Sequence, residues 1–183
     1  FPYTTLSDLP VNERYMNIAK VKDSDLRNAA SAGMDEFLKV FTDAIMASVG
    51  GELTADTMAE LNSDQITLLA YDILHNEVMD GGFVQLIYNG YGSFLFRNPF
   101  AKAIKGWGID ELASLVKKAG KLYFKYKNEI ERECTDDEFM AMFEQYPEFD
   151  DLDDLFVENE ETWTGMVACY VDEHIERFVT VEE

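Results

Sequence analysis

Apolar side chains recur three and four residues apart along most of this chain, and no segment sustains the two-residue alternation of a half-buried strand. A chain patterned this way buries its apolar stripes by packing helix on helix. In DEFLKVFTDAIMASVGG the stripe is Phe37, Val40, Phe41, Ala44 and Ile45, closed by Gly50-Gly51. A second stripe runs through Ile66, Leu69, Ala70, Ile73, Leu74 and Val78, and a third through Leu112, Leu115, Val116, Ala119, Leu122, Tyr123, Tyr126 and Ile130. Phe139, Met142, Phe143 and Tyr146 form a short face before Pro147. Phe149, Leu152, Leu155 and Phe156 continue at helical spacing and are expected to face the core. A last helix is expected around Trp163, Met166, Val167, Tyr170, Val171, Ile175 and Phe178. With 183 residues, 47% of them hydrophobic, there is material for one core. The expectation is an all-α, single-domain multi-helix bundle over residues 26–183, preceded by an extended arm at 1–25 marked by Pro2 and Pro10. The start at Phe1 is read as a trimmed N-terminus.

The helix boundaries are also written locally. Asn62 with Gln65, and Thr135 with Glu138, have capping-box spacing. EVMDGGFVQLIYNGYG, residues 77–92, places Gly81-Gly82 inside an otherwise helical pattern. Two glycines cost about 2 kcal/mol in a helix interior relative to alanine, so the pair predicts a helix end or kink. Phe83, Leu86 and Ile87 resume the apolar face, while Gln85 and Asn89 lie four apart on another. Glu77 falls near the buried stripe just before the break, where a carboxylate needs donors such as amide side chains or backbone N–H groups. It reads as a structural hydrogen-bond knot ahead of a catalytic acid.

Charge is the outlying property. The net charge is −21, and residues 131–183 hold 19 acidic and 2 basic side chains, 19 − 2 = 17 negative charges net. Self-repulsion of that size opposes folding. Fourteen carboxylates lie between Glu131 and Glu161 with Arg132 as the sole basic residue of that stretch. On a helix rising about 1.5 Å per residue this is roughly one charge per 3.3 Å, against about 3.4 Å per phosphate along a DNA strand. Lys117, Lys118, Lys121 and Lys125 form a basic stripe just before it.

Conventional reaction chemistry finds little support. Asp72 and His75 have half the spacing of a di-iron motif whose second copy is missing, and His174 reads as a packing residue. Zinc needs four ligands in a recognisable spacing, which Cys169 and His174 do not supply. TDDEF and FDDLDDLF lack the glycine and ligand alternation of a calcium loop, and EVMDGGF lacks the spacing and Lys-Ser/Thr of a phosphate loop. No cofactor, metal site or catalytic residue is expected, and an enzyme using Glu77 with His75 ranks last. Cys134 and Cys169 read as free thiols of a cytoplasmic protein, and no apolar run reaches the roughly 18 residues of a membrane span.

On Glu77-Val78, Gly81-Gly82-Phe83, Gln85 and Asn89, continuing from Ile66 to FDDLDDLF and YVDEHIERF, the sequence resembles a family of small bacterial helical proteins that includes a dimeric acidic DNA-mimic protein. The resemblance covers roughly residues 60–180. It departs from the family pattern at Asp80, usually Asn, and at Leu86 and Ile87, usually aromatic. It implies a shared helical fold, and for function a DNA mimic, a homodimer whose acidic surface meets a DNA-binding protein with a basic surface. Such a polyanion is not expected to bind nucleic acid itself. The expected partner-binding residues are Asp136, Asp137, Glu138, Glu148, Asp150, Asp151, Asp153, Asp154, Glu158, Glu160 and Glu161, of which the seven from Asp150 to Glu161 are expected to point outward as an array. The alternative is a general protein-interaction or scaffold domain whose charge only maintains solubility.

Overall fold

A computed structural model describes residues 19–183. Among these residues the architecture is all-α with multiple helices: α1 (Asp23–Ala32), α2 (Met34–Ser48), α3 (Ala55–Met58), α4 (Ser63–Tyr88), α5 (Gly92–Arg97), α6 (Phe100–Gly106), α7 (Asp110–Ile130), α8 (Asp136–Gln145) and α9 (Asp150–Glu173). Single 3-10 turns cover Pro147–Phe149 and Ile175–Arg177. Two three-residue strands, β1 (Lys20–Lys22) and β2 (Thr180–Glu182), pair in parallel with Val21 opposite Val181. The arm expected around Pro2 and Pro10 lies outside the described residues, and the chain is already helical at Asp23. No described helix is long and apolar enough to cross a membrane.

The chain divides into two compact units whose boundaries fall within α4 and α9. One takes in the described residues through Leu68 together with Thr164–Glu183. Its core is built on α2, where Phe41 meets Phe37 edge-on at 5.0 Å between ring centroids and Phe178 at 6.2 Å. The Asn62–Gln65 box starts α4 as the spacing predicts: Gln65 N–H donates to Asn62 Oδ1 at 2.8 Å, and Asn62 N–H to Gln65 Oε1 at 3.1 Å. The same two side chains use their amide N–H groups on the carbonyls of Arg177 and Phe178, each near 2.8 Å. A buried glutamine is thereby satisfied while the C-terminal turn is held.

The second unit, Leu69–Trp163, carries the break, α5 to α8 and the first half of α9. Leu74, Phe83, Leu86, Ile87, Leu95, Ile104, Leu112 and Tyr123 are buried at its centre. Gly90, at φ 89°, ends α4 with Gly90 N–H on the Ile87 carbonyl and Tyr91 N–H on the Leu86 carbonyl, the paired bonds of a left-handed helix cap. Thr135 and Glu138 close the second capping box at the start of α8.

Two details of the apolar pattern differ from expectation. FDDLDDLF and the last helix are one continuous α9, and Leu155, expected on the core side, is 38% exposed. Its buried stripe is Phe156, Trp163, Val167 and Val171, continued backwards by Phe149 of the preceding 3-10 turn and spaced by sevens and fours, which leaves Leu155 off the face and Leu152 half-buried. Met166 is likewise 38% exposed.

Candidate functional site

Phe149, Phe156 and Trp163 are seven residues apart, and positions 153 and 160 fall between them on the same face of α9. Those positions hold Asp153 and Glu160. Neither joins an outward array, which corrects the expectation for two of the seven acidic residues placed in it. Phe83 N–H donates to Asp153 Oδ1 at 2.8 Å, and the carboxylate lies directly over Gly82. Gly82 is the non-helical residue inside α4, at φ 75° and ψ −175°, so Phe83 begins a new helical arm whose first N–H groups lack intrahelical partners. Asp153 supplies an acceptor from across the unit. A Cβ at Gly82 would come within 2.4 Å of Asp153 Oδ2, so this residue is glycine for its backbone angle and for the space it leaves. Burial pushes the Asp153 carboxyl up to about 7, with Asp150 and Asp154 adding repulsion, against the opposing pull of the Phe83 N–H.

The amide residues complete the break. Glu77 Oε2 accepts from Gln85 Nε2 at 3.0 Å and from Asn89 Nδ2 at 2.8 Å, and the other hydrogen of the Gln85 amide goes to Asp80 Oδ2 at 2.8 Å. The knot expected of Glu77 is therefore present, built from the residues that carried the family resemblance. Gly81 leaves room for it, since a Cβ there would lie 2.0 Å from Gln85 Oε1. Glu77, Gly81, Gly82, Phe83, Gln85 and Asn89 thus shape a helix bend braced on α9.

Glu160 meets His75, Nε2 to Oε1 at 2.8 Å, and His75 packs edge-on to Phe156. Neither this pairing nor the role of Asp153 was expected from the sequence. The signal was available in the register of Phe149 and Phe156, which puts both carboxylates on the buried stripe. His174 is the packing residue expected, with Nδ1 2.7 Å from the Tyr170 carbonyl and its ring stacked on Tyr170. Cys134 and Cys169 are free.

Asp136, Asp137, Glu138, Glu148, Asp150, Asp151, Asp154, Glu158 and Glu161 are exposed. Several occupy helix N-termini, where the backbone dipole favours negative charge: Asp136, Asp137 and Glu138 in the first turn of α8, and Asp150 and Asp151 in that of α9. Local dipoles thus offset part of the self-repulsion. Glu138 also uses Oε2 on the Thr135 N–H at 2.9 Å. Glu148 accepts from the Tyr126 hydroxyl and lies 3.6 Å from Lys125 Nζ, so its charge is partly answered from within the unit. Asp150, Asp151, Asp154, Glu158 and Glu161 remain as an exposed anionic set on one helix, with rigid support from Phe149 and Phe156 below.

The family described as DMP19-like protein matches residues 59–174, which contain the break, its brace and the acidic helices. The chain is 32% identical over 127 residues to DNA mimic protein DMP19 of Neisseria meningitidis serogroup B (strain ATCC BAA-335 / MC58), an alignment covering 69% of this chain and 77% of the relative.

Proposed function

Because the chain belongs to the DMP19-like protein family, we propose that it is a DNA mimic whose acidic surface occupies the DNA-binding face of a regulator or another nucleic-acid-binding protein. The observation that carries the proposal is the set Asp150, Asp151, Asp154, Glu158 and Glu161, exposed on a helix whose buried stripe holds it in place. A helix presents fixed charges at short intervals, as a nucleic-acid strand presents phosphates, and basic DNA-binding surfaces respond to that field before they read bases. The remaining exposed carboxylates of α8 and of the turn before α9 add to the field. Asp153 and Glu160 serve the fold and lie outside the contacting set. The protein acts in the cytoplasm as a homodimer, which doubles the array offered to a two-fold symmetric DNA-binding protein.

The test is affinity capture from the native host with two baits, the wild-type chain and a variant in which Asp150, Asp151 and Asp154 become Asn and Glu158 and Glu161 become Gln. Wild type is expected to retain a basic DNA-binding protein that high salt releases, and the variant to lose it. Equal capture by both baits would transfer the reading to a scaffold surface on which these charges only maintain solubility.

A further inference from the structure

A groove of about 280 Å³ lies within the second unit between α5, α6 and α7, on residues that neither the break nor the acidic set uses. Leu95, Phe96 and Val116 supply its apolar lining, and Phe124 stands at its edge 49% exposed, with the Arg97 guanidinium carbon 5.9 Å from its ring centroid. Gly120 keeps the groove open beside Phe96, whose ring would lie 3.3 Å from a Cβ placed there. Lys117 and Lys121, one helical turn apart, line the same groove. Among the described residues neither takes part in an ion pair, although the chain carries 36 acidic side chains. An apolar slot with an exposed aromatic and uncompensated cations is the complement of an acidic segment bearing a bulky apolar side chain.

We propose that this groove docks an acidic linear segment of another protein, with an aromatic or large aliphatic anchor between Phe96, Val116 and Phe124 and its carboxylates on Lys117 and Lys121. The volume admits one large side chain and no folded element. Charge alone does not suffice, because the net charge of −21 repels an acidic peptide at long range. Binding therefore requires the anchor as well as the lysines. This surface has the opposite polarity to the acidic set and stands or falls independently of it.

The probe is a short dye-labelled peptide with a central Trp flanked by Glu residues, titrated with the full chain by fluorescence anisotropy at physiological ionic strength. A second peptide carries Ser in place of Trp. Wild type is expected to bind the Trp peptide saturably. Affinity should fall about tenfold or more for the Ser peptide, for Phe124→Ala and for the double variant Lys117→Glu/Lys121→Glu. The lysines are exposed, so the charge variant keeps the fold and tests the groove even where Phe124→Ala perturbs Tyr123. Absence of saturable binding, equal affinity for the two peptides, or affinity unchanged in the charge variant would overturn the proposal. So would self-association of wild type that the charge variant abolishes, which would assign the groove to a second copy.

Discussion

Gly82 and Asp153 are a single device made from two residues 153 − 82 = 71 positions apart. The glycine turns the chain at φ 75°, which frees the Phe83 N–H, and the aspartate accepts that N–H in the space a side chain would have filled. Gly82→Val should therefore destabilise the protein by more than the roughly 1 kcal/mol of helix propensity, on the order of 2–4 kcal/mol by denaturant unfolding. Gly81→Ala meets no left-handed backbone strain, but its Cβ would press on Gln85 from Oε1 to Cβ and displace the amide that holds Glu77, so it too should destabilise the break. An unchanged unfolding midpoint for Gly82→Val would show that Gly82 is not a strained break. Asp153 makes the break sensitive to pH. Its folded pKa of about 7 lies above the ordinary 3.8, so folding favours the protonated acid. That contribution is complete below the unfolded value and is lost as pH rises through about 7. Asp153→Asn keeps an oxygen for the Phe83 N–H and carries no charge. Its melting temperature relative to wild type should rise between about pH 5 and about pH 8, and a difference that stays flat would contradict the assignment.

At the scale of the element, the break was legible where chemistry is local. The glycine pair in a helical pattern announced the kink, the capping boxes at Asn62–Gln65 and Thr135–Glu138 announced two helix starts, and Glu77 near a buried stripe announced a need for donors. The amides that answer it, Gln85 and Asn89, belong to the same short motif. What could not be read locally was α9. Leu152 and Leu155 look like core residues because they are leucines, yet the stripe follows Phe149, Phe156 and Trp163, and the intervening polar positions face inward because α4 supplies their partners. Those partners lie seventy and eighty-five residues away, where single-sequence periodicity has no reach. The β1–β2 pair was missed for a related reason, since three-residue strands are too short to show a period. Because Glu77 accepts from both amides, Glu77→Ala and Asn89→Ala should not add. A double-mutant cycle by denaturant unfolding should give a coupling of about 0.5–2 kcal/mol, and additive losses would show that the knot does not brace the arm.

For the whole molecule, the central quantity is where the charge stands. The −17 balance of residues 131–183 opposes folding, and helix N-termini, Lys125 and the Tyr126 hydroxyl offset only part of it. Neutralising Asp150, Asp151, Asp154, Glu158 and Glu161 to their amides relieves repulsion between exposed groups, so the melting temperature should hold or rise. A clear fall would mean that these carboxylates are structural. The most direct test of mimicry is mutual exclusion with DNA. A protein captured by the wild-type chain is bound to its labelled duplex, and the chain is titrated in while anisotropy follows the duplex. Wild type is expected to displace the duplex fully, the five-site variant to lose displacement, and the chain alone not to bind the duplex. A ternary complex of chain, partner and duplex, or equal displacement by the neutralised variant, would contradict mimicry.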